Sequence, residues 1–148
     1  MIRGRNDWGI SRQRRWGLPI PVCYCADCGK PIVTDETIEA VSRLFGEKGS
    51  NAWYEMEAKD ILPQGFTCPH CGKSGGFTKE ADTLDGWFDS GSTHFASMQK
   101  DKGFWPATVY MEGLDPYRGW FPSSLPTDVG PLGKGAPFQE VLHHGWTV

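Results

Sequence analysis

The sequence predicts an α/β chain with an inserted lobe built around a metal, and three observations carry that expectation. Two short apolar runs, Val109-Tyr110-Met111 and Val141-Leu142-His143, read as buried strands. Each leads toward a glycine, Gly113 and Gly145. Apolar residues at Ile38, Val41, Leu44 and Phe45 repeat at helical spacing. Four of the five cysteines fall into two C-x-x-C pairs, Cys25/Cys28 and Cys68/Cys71.

The 148 residues suffice for one domain or slightly more. With 39% hydrophobic and 22% charged residues the chain is not a disordered tail. Its net charge of −3 argues against a dedicated duplex-binding protein, which would carry a strongly basic footprint. Glycine and proline together number 30, and there are seven tryptophans, so loops that position side chains are expected rather than a regular helical bundle. No apolar run approaches the ~20 residues of a membrane span, and none near the start has signal-peptide character. The expected location is the cytoplasm, without a membrane partner.

Three zones follow along the chain. Residues 1–22 open with five arginines and end in Pro19-Ile20-Pro21, whose alternating prolines force an extended path. Residues 23–81 form the inserted lobe. There, Thr34 or Asp35 caps a helix that Gly46 or Gly49 stops. A second helix is expected from near Asn51 to Leu62, ended by Pro63. Residues 82–148 hold the strands, with a helix over 90–99 capped by Asp89 or Ser90 and a loop over 130–137.

Each cysteine pair is followed by glycine, Gly29 and Gly72, which permits the tight turn that aims backbone amides at thiolate sulfur. Two such knuckles supply four soft ligands, the tetrahedral set of a closed structural Zn²⁺ site. The 39 residues between Cys28 and Cys68 exceed a compact finger, so the helices between them form a lobe clamped at its base. His70 reads as a surface residue of the second knuckle and not a ligand, and Cys23 as packing.

Four strings are too specific to be compositional. Asp7-Trp8-Gly9-Ile10-Ser11-Arg12-Gln13-Arg14-Arg15-Trp16-Gly17-Leu18-Pro19-Ile20-Pro21 resembles the segment of class I isoleucyl-tRNA synthetases that follows the editing insertion. Asp82-Thr83-Leu84-Asp85-Gly86-Trp87-Phe88-Asp89-Ser90-Gly91-Ser92-Thr93-His94 resembles that family's D-T-L-D-V-W-F-D-S-G-S-x-H. Glu112-Gly113-Leu114-Asp115-Pro116-Tyr117-Arg118-Gly119-Trp120-Phe121 resembles E-G-x-D-Q-[HY]-R-G-W-F, and His143-His144-Gly145-Trp146 resembles T-H-G-F. They come in the family's order and span essentially the whole chain.

The resemblance implies the second half of a class I synthetase Rossmann-like catalytic domain with an inserted zinc-knuckle lobe. It also implies that residues 1–22 return the chain to that domain after the editing insertion. The parent would activate isoleucine with ATP and Mg²⁺ to isoleucyl-adenylate and pass it to tRNA(Ile). It assigns Glu112 and Gly113 to the adenylate and places His144 and Gly145 near the adenine. Asp115 faces the ribose or serves as a helix cap alone. Trp87 and Trp120 match the walls of an aliphatic side-chain pocket, for which flat, rigid rings are suited; core packing is the other reading. One methylene gives such a pocket only about 150-fold discrimination, the isoleucine enzyme itself being the reference example. Arg12, Arg14 and Arg15 either meet tRNA phosphates or are solvated charge. No catalytic residue is assigned.

The family's His-Ile-Gly-His and Lys-Met-Ser-Lys-Ser elements do not occur here. The chain is therefore expected to be a segment of a longer parent and inactive alone, needing the rest of that chain. Gly9 stands for Cys, Gly86 for Val in a strand-like run, and Pro116 for Gln. Pro122 is expected inside a helix over 118–125 at a cost of ~3 kcal/mol, with Pro126 ending it. Two other readings are a zinc-knuckle module that grips RNA and a segment of a valine-type class I enzyme.

Overall fold

The computed structural model describes residues 6–99, 103–113 and 119–146. Its backbone contacts divide into two compact units, Met1–Ile10 with Leu84–Val148, and Ser11–Thr83. The content is mixed α/β.

The Ser11–Thr83 unit is organised by a short antiparallel sheet. Strand β1 is Ser11–Arg12, β2 is Cys23–Cys25 and β3 is Pro31–Ile32. Helix α1 (Asp35–Lys48) is followed by α2 (Ala52–Glu55), α3 (Ala58–Ile61) and β4 (Phe77–Lys79). The sheet order is β3-β2-β4, with Cys23 opposite both Ile32 and Lys79. Alternation decides what β2 does: Cys23 and Cys25 point into packed interiors on either side of Tyr24.

Helix α1 starts where expected because Thr34 accepts from the Thr37 amide while the Thr37 hydroxyl accepts from the Thr34 amide, a reciprocal cap. Gly49, at φ 79°, ends it. Gly46 lies inside the helix and stops nothing. Val41 is buried, with Leu44 and Phe45 against it, but Ile38 is exposed. The expected single helix from 51 to 62 is instead two short ones, α2 and α3. Met56 and Glu57 are extended between them. Lys79 explains the break: its ammonium donates to the carbonyls of Trp53 and Met56 that a continuous helix would have used internally. Trp53, fully buried, donates its indole N–H to the Glu80 carbonyl at 2.9 Å.

The other unit takes up the chain at Leu84, the last residue of β5 (Thr83–Leu84). It contains α4 (Gly86–Gly91), the π-helical segment α5 (His94–Gln99), β6 (Ala107–Glu112), α6 (Trp120–Leu132) and β7 (Phe138–His143). Strands β6 and β7 are parallel, with Tyr110 opposite Val141 and Glu112 opposite His143. A parallel pair requires a crossover, which α6 supplies.

Several expectations change here. The helix expected over 90–99 is instead two elements, α4 (Gly86–Gly91), capped by Asp85 rather than Asp89 or Ser90, and the π-helical α5 (His94–Gln99). Gly86 is accordingly the first helical residue and does not loosen a strand. Helix α6 runs through Leu132 into the segment expected to be a loop, closing on Gly133 at φ 61°. Pro122 falls in its first turn, where the amide it lacks has no intrahelical partner, so the interior penalty does not apply there. Pro126 does not end the helix, and Pro131 also lies within it. Finally, β6 and β7 are strands but are not buried: Tyr110 is 3% exposed, while Met111 is 64% and Leu142 60% exposed. Among the described residues, no helix is long and apolar enough to cross a membrane.

Candidate functional site

In the Ser11–Thr83 unit the two knuckles bring Cys25, Cys28, Cys68 and Cys71 together with all four sulfurs within 4.8 Å of one another. The knuckles repeat one backbone design. The Cys25 amide donates to the Lys30 carbonyl at 3.1 Å and the Gly29 amide to the Cys25 carbonyl at 2.8 Å. The Cys68 amide donates to Lys73 at 2.8 Å and the Gly72 amide to the Cys68 carbonyl at 2.8 Å. Gly29 and Gly72 turn the chain at φ 68° and 72°, the left-handed region that favours glycine.

Cys25 and Cys71 are 3.7 Å apart at sulfur, as are Cys28 and Cys68. A tetrahedron with metal–sulfur bonds near 2.3 Å places its sulfurs about 3.8 Å apart, so the donor set fits one thiophilic ion. The thiols also perturb each other. Burial works against ionising Cys68, but the amides of His70 and Cys71 and the adjacent thiols hold it down to about 6. The backbone at Lys73 favours a Cys71 thiolate, yet burial and the three other sulfurs push that thiol up to about 12. His70 is outside the cluster; its ring Nε2 sits 3.0 Å from the Pro31 carbonyl. Cys23 packs with Val41, Trp53, Ile61 and Leu62, and burial raises its thiol.

In the other unit, the carboxyl ends of the parallel strands bring together four of the expected residues. Glu112 ends β6, and its carboxylate accepts from the Gly113 amide at 3.1 Å. The His144 amide donates to the Glu112 carbonyl at 3.2 Å. A Cβ at Gly113 would lie 3.2 Å from the His144 ring, so that imidazole lies close over the glycine backbone. His144 Nδ1 is 2.7 Å from the Gly145 carbonyl. Glu112 and His144 are exposed. In open parallel sheets such strand ends are where ligands bind. Asp115 and Pro116 lie outside the described residues.

The two tryptophans differ. Trp120 stacks on Tyr110, with ring centroids 4.4 Å apart and planes at 13°, and its indole N–H donates to the Ser90 carbonyl at 2.8 Å. Trp87 is the second residue of α4 and is 40% exposed, one face against Gly119. Arg14 and Arg15 are exposed, while Arg12 donates to the Ser11 carbonyl at 2.7 Å.

Sequence reasoning missed Asp85 and Gly119. The Asp85 carboxylate accepts from the Trp87 amide at 3.1 Å and from the Trp8 indole at 3.0 Å. The only available hint was an Asp one residue before a Gly-Trp pair. Gly119 carried no hint, because close approach between helices is a tertiary property.

All 148 residues match the family model for tRNA synthetases class I (I, L, M and V). The chain therefore belongs to the class I tRNA synthetases. Among curated relatives, it is 56% identical to the isoleucine–tRNA ligase of Thermoanaerobacter pseudethanolicus. It is 55% identical to that of Carboxydothermus hydrogenoformans and 52% identical to that of Desulforamulus reducens. Each comparison covers 100% of this chain and 16% of the relative. The chain thus spans about one sixth of the length of these ligases. All three of these relatives are named for isoleucine.

Proposed function

We propose that this chain is the part of an isoleucine–tRNA ligase that holds the aminoacyl-adenylate, with a structural zinc in its inserted lobe. One observation carries the proposal: Glu112-Gly113 and His144-Gly145 meet at the carboxyl ends of the parallel β6–β7 pair. The exposed apolar residues of that pair, Met111 and Leu142 among them, suit a sheet continued by further parallel strands of a Rossmann-like domain.

In the proposed reaction the isoleucine carboxylate attacks the α-phosphate of ATP and pyrophosphate leaves, forming a mixed anhydride; a terminal ribose hydroxyl of tRNA(Ile) then attacks its carbonyl carbon, taking the isoleucyl group as an ester and releasing AMP. Glu112 accepts hydrogen bonds from the amino acid's ammonium or the ribose hydroxyls, fixing the reacting end by position. The bare Gly113 backbone lets the His144 ring approach, and His144 and Gly145 border the adenine. Asp115 is assigned to the ribose. Trp87 and Trp120 supply the pocket walls for the branched side chain, Trp120 held in place by its stack on Tyr110. Cys25, Cys28, Cys68 and Cys71 would hold Zn²⁺, which closes the lobe and supplies no chemistry to the substrate. Residues 1–22, 23–81 and 82–148 are the return segment, zinc lobe and second half-domain of a cytoplasmic enzyme. Phosphate-stabilising groups and Mg²⁺ contacts belong to the rest of the parent chain.

Calorimetric titration with a sulfamoyl-linked isoleucyl-adenylate analogue tests this. Binding weakened about tenfold or more by Glu112→Ala is expected, since that change removes a charge-assisted hydrogen-bond acceptor. Binding unaffected by Glu112→Ala would remove the assignment.

A further inference from the structure

We propose that Gly119 is a positioning residue that sets the depth of the aliphatic pocket by seating the Trp87 indole against a bare α-carbon. This rests on the reading of Trp87 as a pocket wall and adds the element that fixes where that wall stands.

The geometry is a close approach that no other residue permits. A Cβ at position 119 would lie 2.4 Å from Trp87 Cε2, 2.5 Å from Cζ2 and 2.6 Å from Cδ2. Because both ring-fusion carbons are almost equidistant, the missing atom points at the face of the indole rather than its rim. The backbone at Gly119 has φ −109°, which any residue adopts, so glycine is required there by space alone.

What moves when that space is filled is decided by the packing around it. Helices α4 and α6 approach closely at a second place as well. A Cβ at Gly91 would lie 2.8 Å from Ser123 Oγ and 3.0 Å from the Ser123 backbone carbon. Near these contacts the Trp120 indole N–H donates to the Ser90 carbonyl, and the Thr127 hydroxyl reaches the Gly91 carbonyl at 2.9 Å. Separating the helices would break these contacts together. The Trp87 ring, 40% exposed, has an open side. The ring therefore yields and the helices do not.

Ordinary carbon contacts lie at about 3.5–4.0 Å, so an added methyl displaces the indole by more than ~1 Å. That displacement is comparable to one methylene group, the difference between isoleucine and valine. A residue larger than glycine at 119 therefore drives the wall into the pocket and penalises the longer side chain selectively.

The test titrates the whole parent ligase that carries this segment, as wild type and Gly119→Ala, with isoleucyl- and valyl-sulfamoyl adenosine. Gly119→Ala is expected to weaken the isoleucyl analogue about tenfold and the valyl analogue less than about threefold. Adding Trp87→Phe, a smaller ring with room for the methyl, is expected to restore the wild-type ratio. Equal weakening of both analogues, or an unchanged ratio, overturns the inference and leaves the adenylate reading standing. A wild-type parent ligase that binds neither analogue removes that reading and the inference with it. If Gly119→Ala fails to fold, the Gly119→Ala/Trp87→Ala double variant must recover wild-type thermal stability. Failure to recover means the clash is not with Trp87 and overturns the inference.

Discussion

The Trp8 indole donates to the Asp85 carboxylate at 3.0 Å across 77 positions of sequence. The same carboxylate caps α4 through the Trp87 amide at 3.1 Å, so one buried side chain ties the start of the chain to the helix that carries the proposed pocket wall. Trp8 also packs on Phe88, with centroids 6.2 Å apart. Asp85→Ala removes a cap and a charge-assisted bond together and should cost about 2–3 kcal/mol in urea unfolding. A double-mutant cycle with Trp8→Phe should show coupling of about 1 kcal/mol. A cost under ~0.5 kcal/mol would mean the carboxylate holds neither partner.

His94 and Asp128 form a fully buried pair, Nδ1 to Oδ1 3.5 Å, between α5 and α6. The second Asp128 oxygen accepts from the Trp105 indole at 3.2 Å, and His94 Nε2 lies 3.3 Å from the Thr127 hydroxyl. Burial depresses the His94 imidazole below its ordinary value of 6.5, and the neighbouring Asp128 carboxylate only partly offsets this. Folding therefore selects the neutral ring. Its contribution to stability is fully present above the unfolded value, near 6.5, and is lost as pH falls from there through the lower folded value. Wild-type stability should decline between pH 7 and pH 5, and His94→Asn should remove part of that slope. Identical slopes in the two proteins would show that another group is responsible.

How much of this was legible in the sequence depended on the range of the forces involved. Helix α1 was readable because its cap, its apolar face and its terminal glycine are all local. The cysteine cluster was readable because ligand chemistry and knuckle spacing are written within a few residues. The break between α2 and α3 was not, since Lys79, more than twenty residues away, takes the carbonyls. Helix α6 runs past its expected end because Pro126 reads as a breaker and 130–137 as a loop by composition, whereas the helix is held by contacts with α4 such as the Thr127–Gly91 bond. The existence of β6 and β7 was legible, but not their exposure, because apolar sequence reports what a strand needs covered rather than what covers it.

Glycines of two kinds should respond oppositely to alanine. Gly29 and Gly72 have left-handed backbones with nothing within 4 Å of an added Cβ, so the change is purely conformational and should destabilise by about 1 kcal/mol. Gly46 has the same open space but a helical backbone within α1, and Gly46→Ala should stabilise by about 0.5–1 kcal/mol. Thermal melts followed by circular dichroism resolve the signs. The same sign at Gly46 and Gly72 would contradict the knuckle geometry.

Metal removal should act on the Ser11–Thr83 unit through its second core cluster. Cys25 and Cys68 are packed with Ile32, Phe66 and Phe77, so these two side chains are part of the lobe's interior as well as of the donor set. Without an ion, four thiols within 4.8 Å cannot all ionise, and the lobe must hold them in place by packing alone. With Zn²⁺ bound, all four would be thiolates, and their binding energy adds to folding. Elemental analysis of reduced, folded protein should give one zinc per chain. Chelation should lower the melting temperature, and Cys71→Ser, which leaves the two buried cysteines intact, should weaken zinc binding without unfolding the lobe. Because binding releases thiol protons, affinity should also fall as the pH is lowered. Reduced, folded protein that carries no metal and takes up none on titration would show that the four sulfurs are packing groups only.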